Sequence, residues 1–256
     1  MIPCLALLTA FALSLSSASC RASEVTAPEV TAPDAIAPEA TAPEATDLEA
    51  ADPEATAPTA TVSAAAPWSK AFVPPNSLDT ARVHLEPLRP EHTELDLAAF
   101  LSSVEHLRRT LHWGNWPSAD YTLEQNRADL ERHWQEFQNR EAYAYTVQSS
   151  DRSRCVGCVY INPSRSPGKR SEPIDEQSTE ASIDFWVIES ELANGLDRHL
   201  LQSLLEWIER DWPFTKVHFP LHVENERGRV IAASLGLPPI VPSPRPQHEI
   251  HVWRRD

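Results

Sequence analysis

The stretch EASIDFWVIESELANGLDRHLL, residues 180–201, holds the residues best placed to do chemistry. It reads as a strand, a turn and a helix, and its single glycine, Gly195, stands where the helix opens. The first N–H groups of a helix have no partner within it and lie at the positive end of its dipole. Asn194, Gly195, Leu196, Asp197 and Arg198 therefore outline a place to hold a phosphate, with glycine letting the backbone approach. Asp197 opposes that use. Two like charges about 4 Å apart repel by roughly 1 kcal/mol in water and about 4 kcal/mol at an effective dielectric of about 20, a cost of about tenfold to several hundredfold in affinity. Pointing outward, Asp197 leaves only backbone at the anion, and Arg198 or His199 can supply compensating charge; alternatively Asp197 only stabilises its own helix. The expectation is a turn that faces a phosphate-bearing ligand but binds it weakly or in altered geometry.

Metal chemistry is not expected. Cys155 and Cys158 spell C-x-x-C, but residues three apart in an extended strand point to opposite faces, so one ion or one disulfide does not readily take both. The histidines show no metal-ligand spacing.

The elements that must position the turn follow from periodicity. RVHLEPL (82–88) alternates as a strand, and Leu97, Phe100, Leu101, Val104 and Leu107 mark a helical region from Pro90. Thr122 to Gln125 is a capping box, opening a second helix with Leu123, Leu130, Trp134 and Phe137 on one stripe. AYAYTVQ (142–148) and CVGCVYI (155–161) form an antiparallel hairpin, and 162–179 reads as a flexible polar loop. Leu196, Leu200, Leu201, Leu204 and Ile208 give the helix after the turn its buried face. KVHFPLHV (216–223), a helix from Asn225 to Leu235 stopped by Gly236, and a strand near EIHVW close the chain. The order predicts an α/β (α+β) domain: a mixed, mostly antiparallel central sheet with helices on both faces.

Composition divides the 256 residues. Residues 1–20 carry an apolar run, Leu5 to Leu15, and small residues, the outline of a secretory signal without its usual positive start; Cys20 gives a lipoprotein reading, with Ser17 where an aliphatic residue belongs. The run is too short for a full membrane span. Residues 21–73 repeat a Pro/Ala/Thr/Glu unit, as in VTAPEV and TAPEA, which predicts a disordered linker. The expected domain is 74–256. Nine of the 37 acids precede Pro67, and from there 28 acids face 21 bases, so no basic patch points to nucleic acid. The acidic surface favours an amine-bearing partner, and a membrane enters only if Cys20 is lipidated.

Three stretches, LEPLRPEH, ASIDFWVIESELANGLDRHLL and NERGRVIAASLGL, in this order and spacing, resemble the GNAT superfamily of acyl-CoA-dependent N-acyltransferases, in its ribosomal-protein N-terminal acetyltransferase branch, across about Arg82 to Leu237. The resemblance implies two parallel strands that splay apart, with the pantetheine arm of acetyl-CoA in the gap on backbone groups of Phe185, Trp186 and Val187, the second strand being Val217 to Leu221. It implies a pyrophosphate on the turn at Gly195, where the family has Gln or Arg, two residues, Gly, one residue, then Gly or Ala; Leu192 and Asp197 depart from that pattern. Asn225, Gly228 and Leu235-Gly236-Leu237 match the family's last motif, and Asn225 joins the cofactor residues. The backbone N–H of Val187 or Ile188 becomes the group that polarises the thioester carbonyl, and Glu224, His222 and Asp184 are candidate bases. Trp113 and Trp116 fall where the family builds its acceptor wall. Ala232 stands where some members carry an acidic tyrosine.

Two functions follow as expectations: transfer of an acetyl group from acetyl-CoA to a protein amino terminus or small amine, or a non-catalytic binding module that keeps the fold, exported or tethered at a surface. Acetyl-CoA is a cytoplasmic metabolite, so export or anchoring favours the second and a start later in the chain favours the first.

Overall fold

The computed structural model describes residues 65–164, 173–244 and 246–256. The leader at 1–20 and almost all of the repeat region lie outside the described residues. Seven strands form one sheet in chain order: β1 (Leu78–Asp79), β2 (Val83–Pro87), β3 (Tyr143–Ser149), β4 (Cys155–Pro163), β5 (Glu180–Val187), β6 (Lys216–His222) and β7 (His248–Arg254). Every neighbouring pair is antiparallel except β5 and β6. The connection between those two parallel strands is α4 (Leu196–Asp211), as a parallel crossover requires. No helix among the described residues is long and apolar enough to cross a membrane.

The early helical region is three helices rather than two: α1 (Thr93–Leu101), α2 (Val104–Leu111) and α3 (Leu123–Asn139). The stripe from Leu97 to Leu107 runs through a break at Ser102 and Ser103. Ser102 Oγ donates to the Ala99 carbonyl at 2.6 Å, and Ser103 Oγ accepts the N–H of Glu189 at 2.9 Å. Serine side chains thus replace helical bonds, and the second ties the break to the exit of β5. Thr122 and Gln125 cap α3 reciprocally as the capping box predicts. α1 and α3 meet across buried Asn126, which donates to Asp96 and to the Thr93 carbonyl, both at 3.0 Å.

The loop expected at 162–179 starts two residues later, and its residues 165–172 lie outside the described residues. β4 runs on through Asn162 and Pro163, which pair with Ser182 and Ala181. A second departure concerns the cysteines. The β3–β4 ladder shifts register so that Gln148 faces Cys155 and Val147 faces Gly157, leaving Val156 as an extra residue. Such a bulge reverses the facing of what precedes it. Cys155 and Cys158 therefore lie on one face as buried free thiols, the second donating to Asp96 at 3.1 Å.

The packed body also reaches back before Pro74. Trp68 and Phe72 are 2% and 1% exposed, and Trp68 stacks on Tyr143 with ring centroids 5.4 Å apart. Tyr143 and Tyr145 donate to the carbonyls of Pro67 and Pro75, and Trp68 Nε1 to that of Glu180 at 3.3 Å. The cluster continues through Trp212, Phe214 and Trp207 beside α4. Trp68→Ala is expected to cost about 3–5 kcal/mol, read as a lower urea midpoint at unchanged slope; a loss below about 1 kcal/mol would mean that residues 65–73 are not part of the core.

Candidate active site

Backbone accounting locates the site. β5 and β6 pair only at Glu180–Lys216, Ala181–Val217 and Ser182–His218, then part. On its other side β5 stays paired with β4 along its whole length. Ile188 donates its N–H to the Val156 carbonyl at 3.0 Å, so by antiparallel alternation Trp186 and Asp184 also bond to β4, while Phe185 and Val187, beyond the last β5–β6 pair, turn N–H and C=O into the gap. This corrects two of the positions expected from sequence. Trp186 offers its side chain to the core and its backbone to β4, and the Ile188 N–H is already committed, leaving the Val187 N–H as the donor in the gap. Across the opening Pro220 takes a position where its missing N–H would have faced the gap, so the proline costs β6 no ladder bond.

The inner end of the gap is narrow: about 20 Å³ enclosed by Thr110, Leu111, Trp113, Phe185, Leu221 and Asn225, among others. That is room for a water and not for a thioester, so α2 and the chain after it must give way before a cofactor arm can seat there.

The turn after β5 carries Gly195 at φ 68° as the N-cap of α4. Asp197 sits in the first turn with its carboxylate held by Arg227, whose Nη2 lies 2.9 Å from Oδ1 and whose Nε reaches Oδ2. The guanidinium also donates to the Leu192 carbonyl at 2.7 Å. Asp197 is thus neutralised by a residue of the next helix, α5 (Glu226–Ser234), and pairing with it raises the Arg227 pKa. The two cations expected to compensate it are engaged elsewhere: Arg198 donates to Ser234, and His199 is 3.0 Å from Thr80 Oγ1. Asn194 turns to Glu191 at 3.3 Å, and the Leu196 side chain is buried in the core. What the turn presents is backbone with a paired Asp–Arg rim.

Asn225 caps α5, its Oδ1 accepting the N–H of Gly228 at 2.9 Å. A Cβ on residue 228 would lie 2.9 Å from that amide. Glycine at 228 therefore lets the Asn225 amide sit close over the first turn, which leaves Asn225 Nδ2 as the donor at the edge of the gap. Ala232 is fully buried and has no proton to give.

Past the end of β6, His222 is 5% exposed and its Nδ1 lies 3.3 Å from the N–H of Glu224. Glu224 Oε2 is 3.0 Å from Nε2 of His112, whose ring stacks on His222 with centroids 3.5 Å apart. His112, which ends α2 in the left-handed region at φ 52°, had no signal in the sequence; it is brought in by the path of α2. Asp184 stands opposite Tyr160 of β4. Trp113 meets Tyr160 edge-on at 5.5 Å, and Trp116 lies between Phe100 and Trp186 at 5.3 and 6.1 Å. Trp113, Asp184 and Pro220 line both the gap and a groove of about 1990 Å³ on the α1–α3 side. That groove carries seven carboxyl side chains, Glu136, Glu180 and Asp184 among them, against four Lys or Arg. Within it Asp96 is wholly buried, and desolvation raises its pKa, opposed by hydrogen bonds from Cys158 and Asn126.

If Arg227 is what makes the turn tolerant of Asp197, Arg227→Gln should weaken acetyl-CoA binding by about tenfold or more, and adding Asp197→Asn should restore most of it. Calorimetric titration of both variants checks this; equal affinities of the wild type and Arg227→Gln would show that the pair has no part in anion binding.

Comparison with known proteins agrees with this geometry. The model of the acetyltransferase (GNAT) domain family matches residues 82–238. Among solved structures, the ribosomal L7/L12 alpha-N-protein acetyltransferase RimL in complex with coenzyme A superposes with a TM-score of 0.54 at 14% identity, over 68% of this chain and 95% of that one. The ribosomal-protein-S5-alanine acetyltransferase from Vibrio fischeri gives 0.55 at 14% identity, over 70% and 97%. The microcin C7 self-immunity acetyltransferase MccE, in complex with acetyl-CoA and AMP, gives 0.55 at 12% identity, over 69% and 94%. No curated protein sequence matches the chain. The sheet order, the parted β5 and β6 and the family match together place the chain in the GNAT acetyltransferase family.

Proposed function

We propose that the protein transfers an acetyl group from acetyl-CoA to a primary amine, on a protein amino terminus or a small molecule. The observation that carries this is the parting of β5 and β6 after three pairs, which leaves the backbone groups of Phe185 and Val187 for an amide-rich arm to complete as a third strand would. The turn at Gly195 takes the pyrophosphate end on first-turn N–H groups, with Asp197 neutralised by its pairing with Arg227. The non-catalytic alternative rests on Asp197, Leu192 and Ala232, and the pairing with Arg227 answers the first of these.

The acceptor reaches the thioester along the acidic groove, whose excess of carboxylates attracts an ammonium. Its nitrogen arrives at the junction lined by Trp113, Asp184 and Pro220. There Asp184 orients the ammonium and receives its proton directly or through water, and His222 and Glu224 lie across the gap as a second route for it. The Val187 N–H faces the carbonyl that gains negative charge during attack. With alanine at position 232 the leaving thiolate takes its proton from the amine or from water.

A peptide with a free amino terminus and a polyamine, each incubated with acetyl-CoA, test the reading by release of free thiol. Asp184→Asn should lower kcat/KM by about 100-fold or more while leaving acetyl-CoA affinity near that of the wild type. Absence of acetyl-CoA binding by the wild-type protein would overturn the proposal.

A further inference from the structure

His112, His222 and Glu224 come from two elements far apart in sequence, yet one donor atom of each lies within 4.8 Å of the others. We propose that they form a binding site for a divalent transition-metal ion of the zinc class, and that the ion clamps the end of α2 to the end of β6 across the inner mouth of the gap. Two imidazoles and one carboxylate suit Zn²⁺ and its neighbours rather than Mg²⁺ or Ca²⁺. Tetrahedral bonds of about 2.0–2.1 Å set donors roughly 3.4 Å apart; the His112–Glu224 separation is already 3.0 Å, and the two stacked imidazoles must turn so that one nitrogen of each points at the ion.

Two further features bear on it. The 3.3 Å contact between the Glu224 N–H and His222 Nδ1 is long and competes weakly for that nitrogen. His248 is the direct cross-strand neighbour of His222, its ring centroid 5.2 Å away, and its Nδ1 is 3.0 Å from the Pro246 carbonyl. His248 is not one of the three clustered ligands, and a water completes the set. Finally, His112 holds a left-handed backbone that costs a non-glycine residue energy, and it places the ring against His222.

The ion is not a cofactor of acyl transfer. It bridges over Leu111 and Trp113, the residues that must give way for a thioester, and it takes the lone pairs of His222 and Glu224. Occupancy therefore inhibits. This inhibitory half rests on the acetyl-transfer reading, whereas the binding half does not.

Titration of the full chain with Zn²⁺ by calorimetry, and with Co²⁺ by absorbance, tests the site. The expected result is one ion per chain, weak visible Co²⁺ bands without thiolate charge transfer, and an affinity at least about tenfold lower in His112→Asn and in Glu224→Gln. Asparagine accepts the left-handed backbone, so the first variant folds. Absence of binding, affinity unchanged in both variants, or binding with a thiolate band that Cys158→Ser abolishes would overturn the site. Acetylation should fall on saturation with Zn²⁺ and return on chelation. Undiminished acetylation by the Zn²⁺-loaded protein would overturn the clamp, whereas Zn²⁺ binding by a protein that never acetylates would remove the transfer reading and leave the site standing.

Discussion

The early parting of β5 from β6 is the constraint on which the rest depends. A parallel pair inside a sheet ordinarily satisfies its backbone groups along its full length, and abandoning that pairing leaves buried donors and acceptors that cost free energy until something completes them. Here three neighbours make the opening sustainable. β5 is held straight by uninterrupted pairing with β4, β6 by pairing with β7, and Pro220 removes one donor from the open edge. The turn at Gly195 then follows directly from the end of β5, so a ligand arm lying in the gap delivers its charged end to the opening of α4.

Charge at that turn is a property of two helices rather than one. Asp197 belongs to α4 and Arg227 to α5, and their pairing makes the orientation of one helix depend on the other. The pair is partly exposed, so it adds little to stability, and what it fixes is the direction of the carboxylate. The same logic governs the opposite end of the gap. His112, His222 and Glu224 collect where α2 meets the end of β6, so contacts between two distant segments again decide which groups meet there.

Much of this was legible in the sequence, because the signals involved are local. Period-two runs gave the major strands, a Thr–Gln capping box gave the start of α3, and Asn225 with Gly228 stood out as a motif, which the structure shows to be the cap of α5. Pro220 went unread: a proline inside an apolar strand marks an unpaired side, and here that side is the gap. What could not be read depends on contacts between distant segments. Trp68 looked like the end of a low-complexity tail and is instead part of the aromatic core. One extra residue at Val156 reversed the facing of Cys155 and undid an argument from strand alternation. The break at Ser102 and Ser103 needed the Glu189 N–H as a partner, and Arg227 carried nothing in its own neighbourhood to connect it with Asp197. For the candidate site, the stretch of chain was identifiable, but the assignment of individual backbone groups required the register.

Residue-resolved amide hydrogen exchange with and without acetyl-CoA tests the central claim most directly. The N–H groups of Phe185 and Val187 should exchange readily in the free protein and become protected on binding, while those of Asp184 and Trp186 stay protected throughout by β4. Equal protection along β5 in the free protein, or acetyl-CoA binding that leaves Phe185 and Val187 unchanged, would contradict the account.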